Sequence, residues 1–444
     1  MAAVLTATDL RAEFARRLSV MYGGEVPAYT TLVEVAHDVN SEVLDREGSA
    51  AERLGSIARV TAERHGAIRV GTPAEVAQVG RLFAAMGMHP VGCYDLRNAE
   101  PAPLPVVSTA FRPVDREELA ANPFRVFTSV LVPEDRRFFD ADLESRVRAF
   151  LDARTLFPAE LLELADRAGA EGGLDSQAAE RFLVLATRAF ALSSEPIDQR
   201  WYEELSAVSG VAADIAGVTT THVNHLTPRV LDIDLLYARM QQRGVTMIDE
   251  VQGPPRWDGP DVLLRQTSFR ALAEPRAMRA ADGTVAVGEL RVRFGEVEAR
   301  GIALTPAGRD VVDPLPPDAS AWAAAVPGSE RELARAGLAW FTARPGDVDA
   351  LTAAGRTPPP DADALVDEGW VRLDPVVYED FLPRSAAGIF RSNLAADGSS
   401  DRSREGVVRD QAWLAGVLGR DVHDPMELYA AEVEASWAGV RAAL

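Results

Sequence analysis

The sequence predicts an α+β fold: two related β-α-β units with helical segments before, between and after them. Apolar residues recur at helical spacing in residues 7–56 and again in residues 140–208. Short apolar runs typical of strands flank a single helix in residues 58–96, and strand-like runs dominate residues 214–312. A short motif occurs once in each of these strand-bearing regions, which indicates that they are two copies of one unit.

The repeated motif is a histidine followed by an arginine four positions later and then a valine. It reads HGAIRV from His65 and HLTPRV from His225. An amphipathic stretch follows each copy, PAEVAQVGRLFAAMG or DIDLLYARMQQRG, which ends in Gly87 or Gly244 and leads into another extended run. Glycine is typical of the left-handed residue that ends a helix. The shared order therefore predicts two β-α-β units, each beginning with a histidine on a strand.

The remaining patterns divide the chain into five parts. They are a helical N-terminal segment (1–56), the first unit (57–135), a helical insert (136–213), the second unit with the predicted metal-binding strand (214–312) and a mixed C-terminal segment that completes the pocket (313–444). Gly172 and Gly173 interrupt the helical insert. ELAANPFRVFTSVLVPE predicts a strand at 124–132, and the end of the sequence predicts a helix over 426–444.

The composition argues against several classes of function. The net charge is −21, from 46 basic and 67 acidic residues. This charge disfavours non-specific binding to the phosphate backbone of a nucleic acid. No apolar run approaches the length of a membrane span, and the N-terminus has the pattern of an amphipathic helix, not of a secretion signal. The single cysteine, Cys93, excludes an internal disulfide and a cysteine-built metal site. We therefore expect a cytoplasmic protein that binds neither nucleic acid nor membrane, with its oligomeric state left open.

Two of the six histidines are candidate metal ligands. A histidine on an apolar strand is ordinarily a packed, hydrogen-bonded core residue, but His65 and His225 hold equivalent places in the two units. If the units pair about a pseudo-twofold axis, these two side chains converge on one point. His222 is the fallback ligand in the second unit, because its odd offset from His225 turns it to the other face of a regular strand.

A carboxylate on a neighbouring strand is the expected third ligand, and RVRFGEVEARG offers two. Alternate residues of a strand share a face, which places Glu296 after two apolar residues on the predicted core-facing side and turns Arg293 and Val297 away from it. A buried carboxylate is costly unless it is paired or binds a metal. Glu296 is therefore the first choice, and Glu298, nearer the strand end, is the second. The alternative for Glu296 is an ion pair with an arginine.

Two histidines and one carboxylate leave three coordination positions open on one side of a metal, the arrangement of non-haem Fe(II) oxygenases. Zinc in a catalytic site uses the same ligand types, so the residues alone leave both metals open. Arg69 follows His65 on the same face of its strand and is the candidate for gripping a substrate carboxylate with two hydrogen bonds. The alternative for Arg69 is an ion pair with an acidic neighbour. Arg229 is harder to place because Pro228 distorts its strand.

Five stretches in chain order resemble one enzyme family: HGAIRVGT, HVNHLTPRVLDID, LLRQTSFRALAEP, FGEVEARGIALTPAGR and YEDFLPRSAAGIFRSNL. The repeated units with His65, His225 and Glu296 resemble the vicinal oxygen chelate superfamily, whose paired modules form a metal-holding β-cup. More narrowly, the five stretches, which run from about residue 60 to 394, are similar to the 2-oxoadipate dioxygenase/decarboxylase family, also called hydroxyglutarate synthase.

This resemblance implies an Fe(II) enzyme that converts 2-oxoadipate and dioxygen to 2-hydroxyglutarate and carbon dioxide, a step of bacterial lysine degradation. It implies that His65, His225 and Glu296 are the metal ligands and that Arg69 holds the substrate carboxylate. The substrate carries its own 2-oxo acid group, so no separate 2-oxo acid is needed.

The FLPRSAAG turn falls where the family lines its substrate pocket, which makes Arg384 and Ser385 candidate substrate-binding residues. The family usually has a small apolar residue before the serine, so Arg384 changes the preference among dicarboxylates if its side chain enters the pocket. Two other interpretations stay open: a metal-dependent isomerase or lyase of the same superfamily, with zinc or nickel, and a protein that only binds a small molecule. Metal content and oxygen dependence separate the first of these from an oxygenase.

Overall fold

The computed structural model describes residues 4–99, 103–291, 293–382, 401, 403–404 and 406–444. Its strands are β1 Val4–Thr6, β2 Arg64–Val70, β3 His89–Asp95, β4 Val106–Arg112, β5 Arg125–Leu131, β6 Gly173–Asp175, β7 Ile197–Asp198, β8 His225–Pro228, β9 Leu264–Ser268, β10 Glu274–Arg279, β11 Val285–Leu290, β12 Glu296–Arg300, β13 Phe341–Pro345 and β14 Val371–Pro375.

Helices precede, separate and follow these strands in the described ranges, so the predicted mixture of helix and sheet is confirmed. They are α1 Ala7–Glu25, α2 Pro27–Glu47, α3 Ile57–Ala62, α4 Pro73–Ala84, α5 Arg116–Ala121, α6 Ala141–Asp152, α7 Ala159–Glu171, α8 Ser176–Ala189, α9 Gln199–Val208, α10 Gly210–Ala216, α11 Ile233–Gln242, α12 Pro306–Val312, α13 Ala319–Ala325, α14 Glu330–Arg335, α15 Val348–Ala353, α16 Ala362–Asp367, α17 Gln411–Leu418 and α18 Pro425–Ala443. None of the described helices is long and apolar enough to cross a lipid bilayer.

The two long N-terminal helices confirm the helical pattern predicted for this segment. Helix α1 begins at a capping box, in which the Thr6 and Asp9 side chains each accept a hydrogen bond from the other residue's backbone N–H. Helix α2 begins with Pro27, whose missing N–H is not needed at the first position of a helix. Both helices bury an apolar face in the main core, and Tyr22 of α1 is among the fully buried side chains.

A five-stranded sheet carries the first unit and the first strand of the second. Its strand order is β3-β4-β5-β2-β8, with β2 parallel to β5 and the other neighbours antiparallel. Helix α4 connects β2 to β3, so the β-α-β order predicted for residues 58–96 is confirmed. Every residue of β4 and β5 is buried, as expected of interior strands covered on both faces.

The second unit repeats this order only in part. After β8 and α11, residues 245–263 form isolated bridges from Met247 to Phe269 and from Gln252 to Gln266, in place of the regular strand that the repeat predicted. The segment GPPRWDGP explains the difference, because proline cannot donate a hydrogen bond to a strand ladder.

In both units the first strand nevertheless lies parallel to the last. Strand β2 is parallel to β5 in the first unit. In the second, Arg229 follows the end of β8 and forms a parallel bridge with Glu298 of β12, where the Val230 N–H donates to the Glu298 carbonyl oxygen at 2.8 Å. Strand β12 in turn pairs antiparallel with β9. The chain thus brings β12 beside β8 as it brings β5 beside β2.

The pairing of β2 with β8 is symmetric about one residue pair. Gly66 lies opposite Leu226, His65 lies opposite Thr227, and His225 lies opposite Ala67. Because opposed residues of an antiparallel pair, and residues two apart along a strand, share one face, this register places His65 and His225 on the same face of the sheet. The convergence expected from a pseudo-twofold arrangement of the two histidines is therefore observed.

The two glycines predicted to end the repeated helices have the left-handed backbone expected of them, with φ of +65° at Gly87 and +77° at Gly244. A Cβ added to Gly244 meets nothing within 4 Å. We expect Gly244→Ala to lower the free energy of unfolding by about 1–2 kcal/mol through backbone strain alone, measured as a shift of the urea unfolding midpoint. Gly416→Ala is the matched control, because Gly416 is equally open but helical. A stabilising effect of both substitutions would contradict the left-handed cap.

The helical insert contains α6 to α10, and its predicted break is confirmed. Helix α7 ends at Gly172, with φ of +73°, and the next residues form β6, which pairs antiparallel with β1 at the start of the chain. Helix α10 crosses the limit predicted at residue 213. In the C-terminal segment, β13 and β14 form an antiparallel pair beneath α18, the helix predicted over 426–444.

Candidate metal centre and carboxylate-binding cluster

The candidate ligands meet where β2, β8 and the start of β12 come together. The His65 and His225 ring centroids are 5.7 Å apart. Glu296, the first residue of β12, places its Oε2 3.3 Å from the Nε2 of His225. All three side chains are buried. The structure thus brings His225 next to both of its predicted partners.

The protein leaves several polar atoms of this group unsatisfied. Neither ring nitrogen of His225 nor the Oε1 of Glu296 has a hydrogen-bond partner among the described residues. Buried polar atoms without partners are costly, and a divalent cation is a natural partner for imidazole nitrogen and carboxylate oxygen. Within the described ranges, no group of three or more His, Cys, Asp and Glu side chains is close enough to hold a metal ion. The types of donor atom therefore fit a metal, whereas their spacing does not form a closed ligand set, so the ligand assignment of His65, His225 and Glu296 stays a prediction.

Burial favours the neutral forms of these three groups. It lowers the pKa of His65, and it lowers the pKa of His225 well below its ordinary value, with His65 adding to the effect. Burial also raises the pKa of Glu296 well above its ordinary value, and the nearby Glu298 carboxylate raises it further. Neutral imidazole is the form that binds a metal, whereas Glu296 has to release its proton to become a ligand.

Glu298, the second-choice carboxylate, has different partners from Glu296. Its Oε1 accepts a hydrogen bond from the Nε of Arg300 at 2.8 Å, and its Oε2 lies 3.4 Å from the Nδ1 of His65. Burial alone raises the pKa of Glu298, but Arg300 and His65 outweigh burial and lower it below its ordinary value. Among the described residues Glu296 forms no ion pair with an arginine, so the alternative proposed for it from the sequence is not observed there.

The strand prediction for RVRFGEVEARG is wrong at its beginning. Strand β12 starts only at Glu296, and Val297, predicted on the outward side, is fully buried. Arg293, also predicted to face away from the core, is buried and forms ion pairs with Glu274 and Glu25. A buried charge is tolerated when it is paired in this way, so alternation along the strand does not separate a buried face from an exposed one here.

Arg69 belongs to a second buried cluster beside the histidines. Its guanidinium forms an ion pair with Asp214 of α10. Asp214 also accepts a hydrogen bond from the Nδ2 of Asn224 at 2.8 Å and lies 3.0 Å from the Nε2 of His222. The alternative of an acidic neighbour for Arg69 is therefore observed, with a buried partner, and its role towards a substrate stays a prediction. His222 contacts Asp214 from the loop before β8, so the argument from strand alternation does not apply to it.

A larger network of buried charges lies behind His65 and Glu298. Glu63 is within 3.1 Å of three arginines. They are Arg125 at 2.8 Å, Arg300 at 3.0 Å and Arg229 at 3.1 Å. Arg125 also bonds to Glu379 at 2.6 Å. This network accounts for Arg229, which the sequence left unplaced: it pairs with Glu63 and donates to the Leu54 carbonyl oxygen at 2.8 Å.

This network predicts sensitivity to acid. For Glu63, burial raises the pKa, but Arg125, Arg229 and Arg300 outweigh burial and lower it below its ordinary value. A lowered folded-state pKa gives stability that is present above the unfolded pKa of about 4.3 and is lost as the pH falls through the folded-state pKa. We expect the urea unfolding midpoint, followed by tryptophan fluorescence, to fall steadily below pH ~4. Glu63→Gln should lower the midpoint at neutral pH and flatten this decline. Parallel declines in the two proteins would contradict the assignment.

Aromatic rings close the site around the two histidines. Phe294 lies against His225, with ring centroids 5.1 Å apart, and Phe381 lies against His65 at 6.1 Å. Phe381 also stacks on Phe127 of β5, with centroids 3.9 Å apart. These rings limit the access of water to the ligand atoms. The FLPRSAAG motif begins at Phe381, but Arg384 and Ser385 lie outside the described residues.

The helical segments supply residues to the site that sequence reasoning missed. The Tyr22 hydroxyl of α1 lies 2.9 Å from the Asn224 carbonyl oxygen and 2.8 Å from the Phe294 carbonyl oxygen, so one side chain ties together the segments that precede β8 and β12. Asp214 comes from the insert. A signal for it was available, because Asp214 is the one charged residue in the apolar run GVAADIAGV. Nothing in the sequence marks Tyr22 or Glu63 in a similar way.

A separate cavity borders the charge network at Glu379. Its volume is about 1000 Å³, and its lining includes Arg59, Arg112, Glu379 and Tyr429 but none of the candidate metal ligands. Arg59 pairs with Glu379 and Arg112 pairs with Asp380. The candidate site is therefore at the two histidines, where polar atoms have no partner among the described residues, and not in this cavity.

Comparisons with known proteins agree with the motifs. The family model for 2-oxoadipate dioxygenase/decarboxylase matches residues 14–393. A 2-oxoadipate dioxygenase/decarboxylase from Mycobacterium tuberculosis is 58% identical over 428 residues, which are 95% of this chain and 95% of that protein.

Two solved structures extend the comparison. A crystal structure of hydroxyglutarate synthase from Pseudomonas putida in complex with 2-oxoadipate is 36% identical and covers 100% of this chain and 99% of that chain, with a TM-score of 0.83. A protein from Ralstonia eutropha, described as belonging to the glyoxalase superfamily, is 18% identical and covers 67% of this chain and 84% of that chain, with a TM-score of 0.50, which shows a likeness of fold alone. From the family match and the identity to the mycobacterial protein it follows that this chain belongs to the 2-oxoadipate dioxygenase/decarboxylase family.

Proposed function

We propose that this chain is an Fe(II)-dependent enzyme that converts 2-oxoadipate and dioxygen to 2-hydroxyglutarate and carbon dioxide. One observation carries the proposal: in a chain of this family, two histidines and a glutamate share a buried site, and several of their ligand atoms have no hydrogen-bond partner among the described residues. The reaction balances with one oxygen atom entering the new carboxylate and the other the new hydroxyl group, so no further reductant is required.

His65, His225 and Glu296 would hold the metal. Three protein ligands on one side leave positions for a 2-oxo acid and dioxygen, and a bound Fe(II) supplies the redox chemistry between them. The neutral imidazoles need no deprotonation, whereas Glu296 releases a proton on metal binding. The buried surroundings and the rings of Phe294 and Phe381 keep bulk water from the reacting carbon.

Arg69 would bind the carboxylate at the far end of the substrate. Its side chain lies close enough to His225 to influence the pKa of that imidazole, so its charge is near the proposed metal. Asp214 holds the guanidinium from one side, and Asn224 and His222 hold Asp214 in turn. An arginine placed by a buried carboxylate is a pre-organised partner for an anion. Arg69 would thereby fix which substrate carbon faces the metal, a positioning role.

The finer architecture is part of the same proposal. We propose that the two units are paired modules of the vicinal oxygen chelate type and that β2, β8 and β12 form the metal-holding wall of a β-cup. The symmetric register about Gly66 and Leu226 supports this proposal, as do the parallel first and last strands of each unit.

Oxygen uptake by the Fe(II)-reconstituted protein tests the proposed reaction. We expect uptake with 2-oxoadipate, matched by one carbon dioxide and one 2-hydroxyglutarate per dioxygen. Substrates of other lengths, and 2-oxohexanoate, which lacks the far carboxylate, measure how strictly that group is required. Oxygen uptake with a different 2-oxo acid, and none with 2-oxoadipate, would support the proposed type of reaction but not the proposed substrate. Arg384 would then be the first residue to substitute. A protein that binds metal but consumes no oxygen with any 2-oxo acid would contradict the proposal and favour the isomerase or lyase.

A further inference from the structure

We propose that Glu298 is a positioning residue that fixes the ring of His65 so that its Nε2, not its Nδ1, faces the metal. This inference rests on the proposed function, because it takes His65 to be a metal ligand. It separates the two glutamates of β12: Glu296 binds the metal directly, and Glu298 acts through His65.

The contacts of Glu298 carry the inference. The side chain is fully buried, and its two oxygens have different partners. Oε1 accepts from the Nε of Arg300 at 2.8 Å, and Oε2 lies 3.4 Å from the Nδ1 of His65. A carboxylate can only accept hydrogen bonds. The contact with His65 therefore requires the proton to be on Nδ1, which leaves the lone pair on Nε2.

Arg300 is itself held in place, so the orientation of Glu298 is well determined. Its Nε lies 3.0 Å from Glu63, and its Nη1 donates to the Tyr378 carbonyl oxygen at 2.6 Å. With Oε1 committed to Arg300, only Oε2 is directed at His65. Both oxygens of Glu298 are thus engaged by protein groups, which argues against Glu298 as a ligand and in favour of Glu296, whose Oε1 has no partner among the described residues.

The same arrangement has a known physical effect in metal sites. A carboxylate that accepts from the second nitrogen of a ligating histidine fixes the tautomer and the ring orientation and raises the basicity of the first nitrogen. His225 lacks such a partner, since its Nδ1 has none among the described residues. The two histidines would therefore be unequal ligands, with His65 held by the protein before metal binds.

Glu298→Gln tests the proposal, because the replacement has a definite expected geometry. The new amide oxygen continues to accept the hydrogen bond from the Nε of Arg300, so the amide NH2 group faces His65. An NH2 group cannot accept a hydrogen bond from the Nδ1–H of His65. The Nδ1 of His65 must then become the acceptor, and the proton moves to Nε2. Glu274→Gln is the matched control, since Glu274 is also a buried carboxylate paired with arginines, but its ion pairs are with Arg293 and Arg276 and not with Arg300.

Two readouts are needed on the full-length protein. Histidine ¹⁵N NMR of the metal-free protein, with His65 identified from His65→Gln, reports which ring nitrogen is protonated. Chelator competition with Zn(II) as the probe reports metal affinity without any turnover. We expect Glu298→Gln to move the His65 proton to Nε2 and to weaken Zn(II) binding by about 10–100-fold. Glu274→Gln should leave the His65 tautomer and the Zn(II) affinity unchanged while lowering thermal stability.

An unchanged Nδ1 proton in Glu298→Gln, or equal loss of Zn(II) affinity in the two variants, would overturn the positioning role. If the wild-type protein consumes no oxygen with 2-oxo acids but the tautomer and Zn(II) results are as expected, the proposed reaction fails and the role of Glu298 stands. Wild-type protein that binds no Zn(II) would contradict the ligand assignment, and the NMR result would still decide the orientation of His65.

Discussion

Glu296→Gln is expected to reduce 2-oxoadipate-dependent oxygen uptake by more than about 100-fold, because loss of an outer partner alone costs 10–100-fold in such sites. Glutamine keeps the size of the side chain but removes the negative charge that a metal ligand provides. The folded protein raises the pKa of Glu296 well above its ordinary value, through burial and the Glu298 carboxylate. The ionised group therefore opposes folding at any pH above its unfolded pKa. We expect the thermal midpoint of the metal-free variant to be unchanged or raised while activity is lost.

Loss of activity without loss of stability distinguishes a metal ligand from a buried carboxylate that stabilises the fold. Glu274→Gln is the control: Glu274 is also a largely buried carboxylate, but among the described residues its ion pairs are with Arg293 and Arg276 and not with a histidine. Its loss should lower the thermal midpoint and leave metal affinity unchanged. Wild-type oxygen uptake by Glu296→Gln would contradict the ligand assignment and return Glu298 to consideration.

Arg69→Met is expected to give the second largest effect, on substrate preference. Truncating one partner of a buried charge pair costs about 2–5 kcal/mol, which is roughly 30-fold to several thousand-fold in kcat/KM for 2-oxoadipate. 2-Oxohexanoate has no far carboxylate. For this substrate, kcat/KM of the variant, corrected for the fraction of folded protein, should stay close to that of the wild type. Initial rates of oxygen uptake with the two substrates measure this preference directly.

The control for Arg69 is another buried arginine. Arg11 of α1 is fully buried and forms an ion pair with Glu118, which is not one of the candidate site residues. Arg11→Met should destabilise the protein without changing the preference between the two substrates. Equal losses of kcat/KM on both substrates in Arg69→Met would show that Arg69 supports the fold through Asp214 and does not bind the far carboxylate.

The order of elements was predictable where a local pattern determined the structure. Gly87 and Gly244 end their helices as expected, and β2, α4 and β3 follow one another as the first copy of the motif indicated. The same reasoning failed at residues 245–263, where prolines and tertiary contacts replaced a strand with isolated bridges. It also failed for Arg293, because pairing with Glu274 makes a buried arginine tolerable in a way that no periodicity records.

The site was predictable only in its repeated part. The equivalence of His65 and His225 can be seen in the sequence, because a repeat places equivalent residues at equivalent points in space. The different partners of Glu296 and Glu298 could not be predicted, since both lie on the same strand and the difference depends on Arg300 and His65. Asp214 likewise reaches Arg69 through the docking of α10, a long-range contact that neither segment specifies alone.

The symmetric pairing of β2 with β8 has a consequence for the chain during its synthesis. Until β8 emerges, β2 is the open edge of the sheet β3-β4-β5-β2, and residues 132–224 must be made before that edge can be covered. At about 5–20 residues per second this delay lasts on the order of 5–20 seconds. The open edge is β2, in which the four residues between Arg64 and Arg69 include no carboxylate, lysine or proline to discourage pairing with another chain. We expect a chain stopped at residue 224 to self-associate through this edge, which gel filtration of the truncated protein measures, whereas the full-length chain protects the edge with its own second histidine strand.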